Sequence, residues 1–267
     1  MRVGLVQLSS TDDIDANLRV AEGFVREAAE RGAGFVLLPE CFAFMRREGS
    51  PIPAPQSLSG EIVGSLRAWA QELGIWLLGG SFHERTEAGD RVHNTSVLVS
   101  AAGELAAVYR KIHLFDVDLS ASGGGAFQES KHIAPGDEVV VAETPFGGVG
   151  LSVCYDLRFP ELYREHASRG ARWLAVPSAF APQTGKDHWE VLLRARAIEN
   201  QCFVLAPAQC GRHGPDRASH GRSLVIDPWG LVLAQAGDRP GLLVVDCDAE
   251  ALETTRRDLP SLAHRRL

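Results

Sequence analysis

The chain has 267 residues, 45% of them hydrophobic and 23% charged, enough for a large buried core and ordinary for a globular protein. A formal net charge of −7 with no basic block argues against a nucleic-acid backbone or an anionic lipid surface as a partner. The first apolar run stops at Asp12 and Asp13, too short for a secretion signal, and no later run is long enough to cross a bilayer, so a cytoplasmic location is expected.

Residues 2–9 read as a buried strand. Over 15–31, Leu18, Ala21, Phe24, Val25 and Ala28 recur at helical spacing between preceding aspartates and Gly32, which predicts a capped amphipathic helix. A short strand over 34–40 ends at Glu40, and a loop rich in Pro, Ser and Gly covers 49–60. A second helix runs over 61–73 into Gly74, and 75–82 is again a strand. Segments 93–100 and 104–111 flank Ala-Ala-Gly as a hairpin that ends at Lys111.

The order then recurs. A strand over 148–154 leads to a helix from Pro160 to Arg169, with Pro in its first turn, and to a strand over 172–179. A helix from Asp187 to Asn200, a strand over 202–209 and a hairpin around the Pro-Trp-Gly turn at 228–230 complete the second unit. The two units share a pattern without a residue-level repeat. Each has helices for one sheet face only, so the free faces bury most readily against each other. The expected fold is α/β, a four-layer αββα sandwich formed by a single domain over 1–267. Two separate doubly wound domains would need a linker, whereas 116–136, with its glycine run, reads as a loop beside a site.

Five cysteines form no CxxC pair and nine histidines show no helix-face ligand spacing, so neither a disulfide framework, a metal nor a cofactor is expected. Three reactive side chains end apolar strands: Glu40, Lys111 and Cys154. In α/β sheets ligand sites gather beyond the carboxyl ends of strands, and a carboxylate, an ammonium and a thiol suffice for acyl transfer through a thioester. Taken singly, each has a bland reading: free cysteine is a frequent core filler, and Glu or Lys after a strand is usually solvated. Their conjunction favours function, while Cys41, Cys202, Cys210 and Cys247 are read as core fillers.

Moving the thiol proton to a carboxylate in water is uphill by about 4 pKa units, roughly 5–6 kcal/mol. The site is therefore expected to narrow that gap, by desolvating Glu40 or by facing it with a second carboxylate, for which Glu129 is the candidate. Glu129 also has the reach to orient Lys111. In the cycle this set suggests, Glu40 takes the thiol proton while Lys111 and the Tyr155 backbone N–H hold the oxyanion. Arg158 is either a surface ion-pair residue or an anchor for a substrate carboxylate. A Cys-His pair through His113 or His188 stays open, and Ser152 in GLSVC lacks the second glycine of a nucleophile elbow.

The blocks LLPECF, YRKIHLFD and GLSVCYDLRFPELYR, with FQES, resemble those of the nitrilase superfamily of carbon–nitrogen hydrolases along nearly the whole chain. The resemblance implies an αββα sandwich, the roles of Glu40, Lys111 and Cys154 as above, Glu129 as an additional catalytic glutamate, and a homodimer or higher homo-oligomer. GGSFHER, AQCGRH and the late HRR are most similar to the branch holding deaminated glutathione amidases and omega-amidases. That branch implies a small-molecule amide substrate, deaminated glutathione first and 2-oxoglutaramate-like amides second, with Arg158 on the oxo-acid carboxylate. Nitrilase or N-carbamoyl-amine hydrolase chemistry, a metabolite-sensing scaffold and a redox-sensing thiol are the rival readings.

Overall fold

The computed structural model describes residues 1–47, 52, 55–86, 89–122, 125–215 and 217–266. Two mixed sheets dominate. In the first, three parallel strands, Arg2–Gln7, Phe35–Leu37 and Trp76–Leu78, lie side by side. The antiparallel strand Val92–Val99 follows, paired with Phe82–Arg85 and with Leu105–Arg110. In the second, Gly148–Leu151, Ala171–Ala175 and Phe203–Ala206 are parallel, flanked by antiparallel Val141–Ala142 on one side and Leu224–Ile226 and Val232–Gln235 on the other.

Side-chain alternation along these strands builds three cores. Val3, Leu5, Phe35 and Leu37 face Val149, Leu151, Trp173 and Phe203 between the sheets. Their neighbours Val6 and Val36 face outward, against α1 (Ile14–Glu30) and α2 (Glu61–Leu73). Across the second sheet, Leu174 and Val204 meet α3 (Pro160–Ser168) and α4 (Pro182–Asn200). The layers are helix, sheet, sheet, helix, the expected αββα sandwich.

α1 forms where its pattern predicts. Asp13 caps it by accepting from the Ala16 N–H at 2.9 Å, and Leu18, Ala21, Val25 and Ala28 fall on its buried stripe. Each fully buried aliphatic of Val or Leu size contributes about 1.5–3 kcal/mol. α4 begins at Pro182, five residues before the expected Asp187. Pro182 sits at the first helical position, where its missing N–H leaves no bond unmade, and the polar run after it hides the helical stripe. The strand expected over 148–154 stops at Leu151, and Cys154 opens a 3-10 turn, Cys154–Arg158. Likewise the strand over 34–40 is only Phe35–Leu37.

Two C-terminal elements are additions to the sequence reading. Gly241–Asp246 returns to pair antiparallel with Arg2–Gln7, so the end of the chain completes the first sheet. Arg2 grips Asp246 through Nε at 2.9 Å and Nη2 at 2.8 Å. Helix α5 (Ala249–Asp258) follows, capped by Asp248. The stretch 116–136 holds a small hairpin, Asp116–Asp118 with Ala126–Gln128. Positions 123 and 124 of its glycine run lie outside the described residues, as do 49–51, 53 and 54 of the loop expected over 49–60. Among the described residues no helix is long and apolar enough to cross a membrane.

Candidate active site

Glu40, Lys111 and Cys154 converge at one end of the seam between the sheets, on the wall of a cavity of about 440 Å³. Each follows a strand closely: Phe35–Leu37, Leu105–Arg110 and Gly148–Leu151. The segment bearing Glu40 lies directly on Gly80, whose φ is +48° and where any Cβ would overlap the Pro39 carbonyl oxygen. Beside it the Ser81 hydroxyl accepts from the Cys41 N–H at 3.0 Å. The Gly-Gly-Ser run at 79–81 therefore positions the glutamate.

The Glu40 carboxylate, 5% exposed, is shared between the halves of the molecule. Oε1 accepts from Asn94 Nδ2 at 2.9 Å and Lys111 Nζ at 3.3 Å, while Oε2 accepts from the Ala179 N–H at 2.8 Å. Lys111 Nζ also donates to both oxygens of Glu129, at 3.0 and 2.9 Å, and Glu129 Oε2 accepts from the Phe115 N–H at 2.7 Å. Glu129 thus fixes the ammonium, as the sequence suggested.

Cys154 has φ +50°, an uncommon region for a residue other than glycine. The turn is pinned by Cys154 N–H donating to the Pro177 carbonyl at 3.0 Å and Val153 N–H donating to Asp156 Oδ2 at 2.8 Å. Asp156 is fully buried and takes three further bonds: Tyr109 Oη at 2.7 Å, His113 N–H at 3.0 Å and His113 Nδ1 at 2.8 Å. Tyr109 and His113 bracket Lys111, so one carboxylate ties the lysine segment to the thiol turn. Among the described residues the Tyr155 N–H has no hydrogen-bond partner.

The charge states correct one expectation. Burial alone would raise the Glu40 carboxyl, yet the Lys111 ammonium, a hydrogen bond with the Cys154 thiol, the Ala179 N–H and Arg217 hold it below the usual carboxylate range. The Cys154 thiol is pushed well above its ordinary range, first by burial and then by the Glu40 charge, with Lys111 opposing. Burial works against the Lys111 charge, but Glu129 and Glu40 outweigh it and keep the amine protonated. The gap between thiol and carboxylate is wider than in water, not narrower. At rest the proton stays on sulfur and Glu40 is an ionised carboxylate beside it.

Competing readings separate cleanly. His113 is turned to Asp156 and stacks on Phe159 at 3.7 Å between ring centroids, and His188 Nδ1 meets Arg158 at 3.2 Å. Ser152 is buried and bonded to Tyr163 Oη and the Ala175 carbonyl, both at 2.8 Å. The other four cysteines are buried as expected, although Cys41, pushed up to about 12 by burial and Glu40, also touches the cavity. Arg158 lies on the cavity wall, its guanidinium 5.7 Å from the Tyr155 ring centroid and 5.2 Å from that of Phe180. Sequence reasoning missed Asn94, Asp156, Arg46 and Arg217. A polar residue within an apolar strand flags Asn94; Asp156 and the two arginines carry no such signal. Among the described residues no group of three His, Cys, Asp or Glu side chains is placed to hold a metal ion.

The chain is similar to curated amidases and to solved nitrilase-superfamily structures. The deaminated glutathione amidase of Mus musculus is 44% identical over 99% of this chain and 83% of its own length. A solved Saccharomyces cerevisiae member of branch 10 of the nitrilase superfamily is 32% identical, with a TM-score of 0.87 over 100% of this chain and 97% of that one. The amidase from Nesterenkonia sp. AN1, solved with acrylamide added at its active-site cysteine, is 30% identical, with a TM-score of 0.77 over 98% of each chain. The carbon-nitrogen hydrolase family model matches residues 2–257, and the chain belongs to that family, as a hydrolase acting on carbon–nitrogen bonds.

Proposed function

We propose that the protein is a thiol amidase whose principal substrate is deaminated glutathione, cleaved to 2-oxoglutarate and cysteinylglycine. The observation that carries the reading is the joined cluster of Cys154, Glu40 and Lys111 at one cavity wall. As Cys154 Sγ bonds to the amide carbon, its proton passes to Glu40 and the carbonyl becomes an oxyanion held by the Tyr155 N–H and the Lys111 ammonium. The unfavourable resting proton transfer is avoided because sulfur loses its proton only as it gains the carbonyl carbon. Collapse breaks the C–N bond, and the amine leaves with the proton from Glu40. Water then gives its proton to Glu40 and attacks the thioester, releasing the acid and restoring the thiol. Arg158 takes the oxo-acid carboxylate.

The match to relatives named as deaminated glutathione amidases supports this substrate. The same reading makes the chain one catalytic domain in the cytoplasm, assembled as a homodimer or larger homo-oligomer. Val191, Trp229 and Leu231, each at least 60% exposed on and beside α4, support that assembly. Incubation with deaminated glutathione tests the substrate: stoichiometric 2-oxoglutarate and cysteinylglycine are expected, and none should form with Cys154→Ala. Hydrolysis of 2-oxoglutaramate alone would replace the substrate while keeping the chemistry.

A further inference from the structure

The cavity wall holds more cationic groups than the cycle above uses. Besides Lys111 and Arg158, Arg46, Arg212 and Arg217 line it. Arg158 belongs to the Cys154–Arg158 turn and rests on Tyr155 and Phe180. Arg217 comes from elsewhere, just before the strand Ala218–His220, and its Nη1 donates to the Arg46 carbonyl at 3.2 Å. That bond ties it to the segment that continues from Glu40, on the Glu40 side of the sulfur, and its charge acts on Glu40 and Cys41. Burial, together with Arg217 and Arg46, pushes the neighbouring His83 ring down to about 4, so the imidazole there is neutral.

Arg217 is held firmly. The His213 N–H donates to its carbonyl at 2.9 Å, and the His213 ring is itself locked between the Ser10 carbonyl at 2.9 Å and the Ser219 hydroxyl at 2.8 Å. Among the described residues, neither Arg158 nor Arg217 has a carboxylate partner; their polar contacts are the His188 ring and the Arg46 carbonyl. A half-buried guanidinium on a cavity wall with no carboxylate bonded to it presents planar, charge-assisted donors to an anionic group of a ligand.

We propose that the Arg217 side of the cavity is a second anion subsite, which binds a carboxylate carried by the leaving amine while Arg158 binds the carboxylate of the acyl portion. This rests on the amidase reading of Cys154 and specifies its substrates as amides with an anionic group on each side of the scissile bond. The two cationic flanks then set the register of the chain across Cys154. One orients the acyl group, and the other draws the amine toward Glu40, which must protonate it.

The test compares two substrates in the intact protein: deaminated glutathione, and the amide of 2-oxoglutarate with an amine of similar size that lacks a carboxylate. The readout is the ratio of their kcat/KM values, which is independent of the fraction of each preparation that is folded. Wild type should favour the carboxylate-bearing amine. Arg217→Leu should lower that ratio by about tenfold or more, the loss of one charge-assisted hydrogen bond, chiefly through KM. Arg217→Lys should lie between, and Arg158→Leu should depress both substrates with little change in the ratio. A ratio unchanged in Arg217→Leu, or one that falls instead in Arg158→Leu, overturns the subsite while leaving the amidase reading intact. Hydrolysis of neither amide by wild type overturns both.

Discussion

The two halves of the sandwich share an architecture and divide the chemistry. Each places three parallel strands at its centre and antiparallel strands at its flanks. The first half supplies ionisable side chains, Glu40, Lys111 and Glu129, with Asn94 holding the base. The second supplies Cys154, in a turn held at positive φ, and, from a separate segment, the Ala179 N–H that bonds Glu40. Neither half contains a complete site. The difference teaches that the charge of Glu40 depends on how the sheets pack, because Lys111 on its own side and the Ala179 N–H on the other both hold its carboxyl low.

The most severe way to break this division is to remove the sulfur. Cys154→Ala is expected to lose at least about 10⁴-fold in kcat while circular dichroism and Tm stay near wild type. Glu40→Gln, on the other half, should lose about 10³-fold or more and fail to accumulate a thioester. Rapid acyl-enzyme formation by that variant, seen by mass spectrometry, would remove Glu40 from the base role.

Lys111→Met removes the ammonium bonded to both Glu40 and Glu129. Removing one partner of a buried ion cluster costs about 3–5 kcal/mol, so denaturant unfolding should shift by that order along with the loss of turnover. Asp156→Asn tests the tie between the halves. It keeps the volume but weakens the bonds to Val153, Tyr109 and His113, and kcat should fall by about 10- to 100-fold with a smaller change in KM. An equal rise in KM alone would indicate a binding role.

The smallest effect is the pH dependence of stability. Glu40, held below its ordinary 4.5, contributes stability that is present above 4.5 and lost as the pH falls through its lowered value. Lys111, held above its ordinary 10.5, contributes stability that is present below 10.5 and lost as the pH rises through its raised value. The Cys154 thiol, held above its ordinary 9.0, adds a loss that begins above 9.0. Tm should therefore be flat only between 4.5 and 9.0 as far as this cluster is concerned, and the acid slope and the lysine part of the alkaline slope should weaken in Lys111→Met.

Much of this was legible in the residues. Periodicity placed α1 and α2, and the strand-end positions of Glu40, Lys111 and Cys154 pointed to one crevice. The early start of α4 was concealed because Pro182 is a weak local signal and its first turns are polar. The return of Gly241–Asp246 to the first sheet depends on a pairing across more than 230 residues, for which no local pattern exists. Arg217 and Asp156 are ordinary polar residues in sequence, and only packing reveals that one faces the cavity and the other is wholly buried. The direction of the Glu40 shift was misjudged because Lys111 outweighs burial, helped by the Cys154 thiol and by the Ala179 N–H, which comes from a segment 139 positions away.

The most direct measurement is the ionisation of Cys154, followed by ultraviolet thiolate absorbance across a pH titration with the Cys154→Ala signal subtracted. The account predicts a thiol that remains protonated at neutral pH and titrates above its ordinary 9.0, and a clear downward shift in Glu40→Gln, where the neighbouring negative charge is gone. A thiolate already formed at neutral pH in wild type, or a titration unmoved by Glu40→Gln, would contradict it.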